Sequence, residues 1–342
     1  MKILITGGCG FVGSNIAIYL KKNLKKVKIA SLDNLTRKGS NLNKIRLTNY
    51  NIENYNINIE NLDKAKSLPK FNLIIDCCAE PAIEASRKDP DRVFRTNLVG
   101  TFNVLKKCIK DKSNIIFLSS SRVYSIEKLR GLIKDFNLVK PIKIKTKINE
   151  NFETSSASSL YGFTKLSSEK LIQEIFYKSN LKYIINRFGV IAGPWQFGKQ
   201  DQGFVPLWVA KHLFKKKLSY IGFGGKGHQV RDVIHIDDVC NIIFLQIKKL
   251  KSINNNIFNI GGGAKNSISL LGLTNKCKKL TKNNINIKKV LRTSIFDIPY
   301  FVTDNSKILK TYKWRPTKNI DQILKDIFIW LSQNRKIRNY FK

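Results

Sequence analysis

The sequence predicts an α/β fold, a doubly wound parallel sheet followed by a smaller C-terminal α/β lobe. Three observations carry this expectation. Short apolar runs of buried-strand type alternate with segments of helical spacing through the first half of the chain. A glycine triplet joins the first run to the first helical segment. After Gly193-Pro194 the rhythm shortens and glycines gather at 222–227 and 261–263, as in a lobe built over the sheet.

Taken in order, residues 2–6 read as a strand, 11–22 as a helix and 27–32 as a second strand. Residues 73–79 and 114–119 are apolar runs short enough for buried strands, and 91–110 lies between them with helical spacing. A helix is predicted over 161–178 and a strand over 182–188. The last helix spans 320–331, with Ile323, Leu324, Ile327 and Leu331 on one face. Residues 126–150 form a lysine-rich insertion to which the pattern assigns no element, and no internal repeat is visible.

The bulk numbers narrow the class. The chain has 342 residues, 42% of them hydrophobic and 10% aromatic, a globular composition long enough for a full core. No apolar run approaches the ~18 residues a membrane span needs, and the N-terminus enters a strand at once, without the pattern of a secretory leader. A cytoplasmic protein without a membrane partner is expected. Six cysteines without C-x-x-C spacing read as reduced, mostly buried thiols, and three scattered histidines offer no metal site. The formal net charge of +38 would suit a nucleic-acid partner. However, 49 lysines outnumber 13 arginines, and the lysines are spread along the chain. Residues 41–62 add eight asparagines and four isoleucines, so the excess reads as compositional drift, and no nucleic-acid partner is expected. The charge still favours the approach of an anionic substrate.

The glycine triplet is Gly7, Gly10 and Gly13, following a strand and opening a helix. Glycine lets the backbone turn sharply and lets a pyrophosphate come close. The free N–H groups at the helix start, with Phe11 and Val12 between the glycines, favour the anion. Asp33 closes the second strand twenty residues after Gly13, where a carboxylate holds the ribose hydroxyls of NAD. Its charge would repel a 2′-phosphate, which favours NAD over NADP, although Arg37 and Lys38 nearby pull the other way. A Rossmann-type NAD-binding domain over 1–188 follows, with the chain returning to it near 232–260. Residues 189–342 would then form mainly a substrate-binding lobe.

Seven stretches, TGGCGFVGS, LDNLTRKGSN, TNLVGTFNVL, SSSRVYS, YGFTK, GKGHQVRDVIHIDDV and FNIGGG, run in order over nearly the whole chain. Together they resemble the extended short-chain dehydrogenase/reductase family of sugar-nucleotide enzymes. ITGGCGF, DNLTRKGS, the DQG at 201–203 and GKGHQVRDVIH carry a narrower resemblance to its CDP-paratose 2-epimerase branch. The family's catalytic pattern is a serine beyond a strand, then Y-x-x-x-K on a helix. Two Y-x-x-x-K matches exist, Tyr124/Lys128 and Tyr161/Lys165. Tyr124 sits in the VYS where the family has V-Y-G, whereas Tyr161 opens a helix that places Lys165 one turn along on the same face. The resemblance therefore implies Tyr161, Lys165 and, four residues before Tyr124, Ser120 as the catalytic set. The chemistry needs such a set, because a free phenol with a pKa near ~10 is a poor base at neutral pH. A nearby ammonium favours the phenolate, and a serine hydroxyl can hydrogen-bond the reacting oxygen.

By the same resemblance Asn34, Asn58, Ala79 and Asn97 contact NAD, and Arg231, Gln202 and Val190 belong to the substrate site. Arg231 matches the family's arginine on the nucleotide diphosphate. Several positions depart from the family. Ser121-Arg122 stand where its 4,6-dehydratases place Asp-Glu, which disfavours dehydration. Val190 replaces an asparagine, Asn58 an aspartate, and the AEPA of 79–82 and the PWQFG of 194–198 are unusual. The expected activity is an NAD-dependent epimerase of a nucleotide-diphosphate sugar, CDP-linked by preference. It would work by hydride abstraction to a keto-sugar and return to the opposite face, in a homo-oligomer. A 4-epimerase of the UDP-glucose type and an NAD(P)-dependent sugar-nucleotide reductase or dehydrogenase are the alternatives.

Overall fold

The computed structural model describes residues 1–64, 68–133, 142, 146–156, 158–199 and 202–341. Thirteen strands are named among them: β1 Lys2–Thr6, β2 Lys28–Leu32, β3 Glu53–Tyr55, β4 Leu73–Asp76, β5 Asn114–Ser120, β6 Tyr183–Phe188, β7 Val190–Ala192, β8 Leu218–Ile221, β9 Val230–His235, β10 Asn256–Ile260, β11 Ser267–Ser269, β12 Ile287–Val290 and β13 Tyr300–Phe301. The helices are α1 Phe11–Asn23, α2 Ser40–Thr48, α3 Ile83–Lys88, α4 Pro90–Phe94, α5 Gly100–Asp111, α6 Ile126–Gly131, α7 Leu160–Phe176, α8 Phe204–Leu213, α9 Ile236–Lys249, α10 Leu270–Thr281, α11 Ser306–Tyr312 and α12 Ile320–Gln333.

A seven-stranded sheet in the order β10-β6-β5-β4-β1-β2-β3 forms the larger layer. The chain starts at β1 in its middle, winds outward through β2 and β3, then crosses to β4 and onward. That reversal beside β1 is the switch point at which such sheets bind ligands. β1 pairs in parallel with β2 and β4, as do β2 with β3 and β4 with β5. The strands are apolar on both faces because helices cover both: Ile3, Leu4, Ile5, Ile74, Ile75, Ile115 and Ile116 are fully buried. β4 stops at Asp76, three residues short of the predicted run, so Cys77, Cys78 and Ala79 form a loop at its carboxyl end.

By contact the chain divides into two compact units. The first comprises 1–123, 159–187 and 239–258; the second comprises 124–158, 188–238 and 259–342. Residues 124–158, inside the span predicted for the first domain, thus pack in the second unit. There β9 pairs with β7 and β13 in parallel and with β11 antiparallel, while β8 and β12 form a two-stranded parallel sheet. The unusual PWQFG stretch is an aromatic anchor within this unit. Trp195 and Phe197 lie 5.8 and 5.7 Å from the Trp330 ring of α12, and Phe197 lies 4.8 Å from Tyr340. Part of the lysine-rich insertion folds as α6, capped by Ser125, and much of the rest lies outside the described residues. All six cysteines are free and four are buried; burial pushes the thiols of Cys9 and Cys108 up to about 12. No helix among the described residues is long and apolar enough to cross a membrane.

Candidate active site

Within the first unit, β1 ends at Thr6 and the chain turns at once. Gly7 has φ +61°, in the region open to glycine, and an added Cβ would lie 2.9 Å from the Cys78 Cα. A Cβ on Gly13 would lie 2.4 Å from the Gly7 carbonyl oxygen. The turn closes as the Gly10 N–H donates to the Gly7 carbonyl at 2.9 Å and the Ser14 N–H to that of Gly10 at 3.1 Å. α1 begins with neither a side-chain cap nor an acidic residue in its first turn. No side chain of its own first turn offsets the positive end, which fits a pyrophosphate. Gly10, Phe11, Val12 and Gly13 would hold it there.

Asp33 follows β2. Its Oδ2 accepts from the Cys9 N–H at 3.0 Å and its Oδ1 from the Leu35 N–H at 2.8 Å. Burial raises its carboxyl above the usual range, opposed by those two N–H groups and by Arg37. A network that the sequence reading missed fixes this corner. Ser31 Oγ donates to Asn54 Oδ1 at 2.7 Å, Asn54 Nδ2 donates to the Asp33 carbonyl at 3.3 Å, and Asn43 Nδ2 donates to the Cys9 carbonyl at 3.0 Å. Single amides on separate elements carry no signature in one sequence. Asn34 and Asn58 spend their Oδ1 atoms on the N–H groups of Thr36 and Glu60, two residues on in each case. Both therefore shape their own loops.

The loop after β4 links the glycine turn to α7. Cys77 and Cys78 pack against Gly7, Ala79 follows, and Glu80 is clamped by Asn97. Asn97 is buried in a π-helical turn, Arg95–Val99, between α4 and α5. Its Oδ1 accepts from the Glu80 N–H at 2.8 Å; its Nδ2 donates to the Glu80 carbonyl at 3.2 Å and to Thr164 Oγ1, next to Lys165, at 3.1 Å. All three hydrogen-bonding sites used here tie loop to helix. Glu80, the odd residue of AEPA, receives Arg92 at 2.5 Å and lies 3.8 Å from Arg37.

The structure brings Ser120, Tyr161 and Lys165 into one unit at the end of β5 and the start of α7. Ser159 caps α7 by accepting from the Gly162 N–H, so Tyr161 lies in its first turn. The neighbouring serines divide their roles by the pleat of the strand. Ser119 donates to Glu169 Oε1 at 2.5 Å, and Glu169 also receives the Arg187 fork at 2.7–3.1 Å. Ser120 instead faces the Tyr161 phenol and accepts from the Arg122 N–H at 3.1 Å. Burial raises the Tyr161 phenol above its ordinary value; Ser120, Arg122 and Arg37, in that order, draw it back. Lys165, expected to be the activating cation, is not among them. Its side chain turns into the sheet, with Nζ 3.8 Å from the centre of the Phe117 ring. The rival Tyr124 is part of the second unit's core: its hydroxyl donates to Asn259 at 2.6 Å and its ring stacks on Phe301.

The second unit holds the three residues expected on the substrate. Arg231 donates to the carbonyls of Val230 and Ile298 at 2.8 and 2.6 Å and lies 3.7 Å from Asp297. Its neighbour Asp232 is wholly buried and accepts from the Gly263 N–H, so it is not the arginine's ion-pair partner. Gln202 and Lys199 exchange backbone hydrogen bonds in a short bridge. Val190 opens β7 and pairs with Val233.

Comparison with known proteins places this geometry among relatives. The model of the NAD dependent epimerase/dehydratase family matches residues 3–261. The CDP-paratose 2-epimerase of Salmonella typhi is 29% identical, over 97% of this chain and 99% of that one. The solved structure of UDP-glucose 4-epimerase from Thermotoga maritima, with UDP-glucose, superposes with a TM-score of 0.82 at 24% identity, over 98% of this chain and 100% of that one. UDP-glucuronic acid 4-epimerase from Bacillus cereus, in complex with UDP-glucuronic acid and NAD, gives 0.81 at 24% identity, over 97% and 99%.

Proposed function

The chain belongs to the NAD dependent epimerase/dehydratase family, and from that premise we propose that it is a nucleotide-sugar epimerase of the CDP-paratose 2-epimerase type. The observation that carries the reading is the juxtaposition of Ser120, at the end of β5, with the buried phenol of Tyr161, at the start of a helix that also bears Lys165. Likeness to a CDP-paratose 2-epimerase over nearly the full length of both chains supports the finer assignment. So does Ser121-Arg122, which leaves no acid pair for eliminating water.

When bound, NAD supplies the acceptor that takes a hydride from a ring carbon, C2 in this type, and gives it back on the opposite face. Tyr161 takes the hydroxyl proton as the alcohol becomes a ketone and returns it when the alcohol re-forms. Ser120 hydrogen-bonds the reacting oxygen and keeps the phenol in place. Lys165 adds positive charge and a donor for the nicotinamide ribose. Asp33 accepts from the adenosine ribose hydroxyls, and the α1 N-terminus seats the pyrophosphate. Arg231 binds the diphosphate of the sugar nucleotide. A homo-oligomer belongs to the same reading, because Phe94, Phe102, Ile109 and Phe163 on α4, α5 and α7 are exposed.

Native mass spectrometry of the purified protein should find bound NAD. A screen of CDP-, UDP- and GDP-sugars, followed by NMR at each ring carbon, should then show epimers interconverting without added cofactor. A strict need for stoichiometric NADH or NADPH would overturn the epimerase reading in favour of a reductase.

A further inference from the structure

We infer that Asp76, at the end of β4, is the fixed counter-ion that keeps Lys165 charged in its buried seat, and so acts as a positioning residue for the catalytic set. Asp76 and Phe117 are register partners on the adjacent parallel strands β4 and β5. Side chains of such partners project to the same face of the sheet, with strands about 5 Å apart. Lys165 Nζ lies on the Phe117 ring, 3.8 Å from its centre, so the ammonium and the Asp76 carboxylate share that face of the sheet. Both residues are closed to water: Asp76 is 0% exposed and Lys165 2%.

The carboxylate is held by neutral donors. Thr6 Oγ1 and the Cys78 N–H donate to Oδ1 at 2.5 and 3.2 Å, and Thr101 Oγ1 donates to Oδ2 at 3.4 Å. These favour the ionised form but supply no positive charge. Charge accounting leaves Lys165 as its partner. The other buried acid near the lysine, Glu169, is already matched by the Arg187 fork. The electrostatics run the same way from both ends. Burial lowers the Lys165 ammonium and Asp76 is the first group to restore it, ahead of Cys78, Glu169 and Cys77; burial raises the Asp76 carboxyl and Lys165 is the first group to lower it. A buried amine without a counter-ion sheds its proton. Loss of Asp76 would therefore remove the positive charge that the cofactor ribose needs. Facing Tyr161 itself are Ser120, Arg122 and Arg37, which stay in place.

The catalytic side of this inference rests on the function proposed above; the ion pair does not. Asp76→Asn, Lys165→Met and the double variant separate the two. In urea unfolding, Asp76→Asn should lower the midpoint in the wild-type background and cost little or nothing beside Lys165→Met, since no stranded charge remains. In turnover, Asp76→Asn should move the alkaline limb of the kcat/KM profile, where Lys165 loses its proton, down by about one pH unit, a roughly tenfold loss above the limb. Additive unfolding effects, or an unmoved limb, would overturn the inference. If Asp76→Asn does not fold, a folded double variant supports the pair and an unfolded one refutes it. A coupled unfolding cycle in a protein that turns over no sugar nucleotide would sink the functional reading and leave the ion pair standing.

Discussion

The phenol of Tyr161 illustrates how little a residue's identity says about its chemistry. Buried, it is raised above the ordinary tyrosine value, and it could serve as the proposed base only as far as neighbours counter that burial. Arg122 is one of those neighbours and occupies the place of a dehydratase acid. Removing a cation raises the phenol further, so less of it is phenolate at a given pH. Arg122→Ala should therefore shift the acid limb of kcat/KM upward and slow turnover most on the acid side, which a pH series on purified protein measures. Tyr161→Phe should lower kcat by ~10²–10⁴-fold while native mass spectrometry still finds NAD, because the cradle lies elsewhere. Ser120 and Ser119 are adjacent letters, and the spacing to Tyr124 selected the one that meets Tyr161. The partner of Ser119, Glu169, lies 50 residues away and is itself held by Arg187, and neither contact was legible in the sequence.

At the scale of elements, the strand–turn–helix opening was readable because each constraint on it is local. Alternating sterics set β1, φ +61° demands glycine at position 7, and close contact demands glycine at position 13. Gly13→Ala should therefore clash with the Gly7 carbonyl, lower the melting temperature and reduce the NAD retained on purification. The π-helical turn carrying Asn97 was invisible, because 91–110 has ordinary helical spacing and one extra residue per turn leaves no compositional mark. That turn aims Asn97 at Glu80 and Thr164. Asn97→Leu should strand the Glu80 N–H and carbonyl at a cost of about 1–3 kcal/mol. Urea midpoints read the cost, and weaker NAD retention would register the loosened loop.

At the scale of the whole molecule, a net charge of +38 acts at long range and is screened by salt. With a sugar nucleotide as substrate, kcat/KM should fall as ionic strength rises while kcat holds; an unchanged kcat/KM would show that the charge plays no part in encounter. The sequence by itself determined the alternation of strands and helices and the glycine turn, and it picked out Ser120, Tyr161 and Lys165 as candidates, because these depend on periodicity and on short fixed spacings along one chain. Only the tertiary structure decided that Lys165 lies on Phe117, that Asn97 is spent on a loop, and that Tyr124 belongs to a core. Those outcomes turn on which side chains, distant in sequence, share a dry space. There burial and charge balance choose the partners, and neither can be computed from neighbours along the chain.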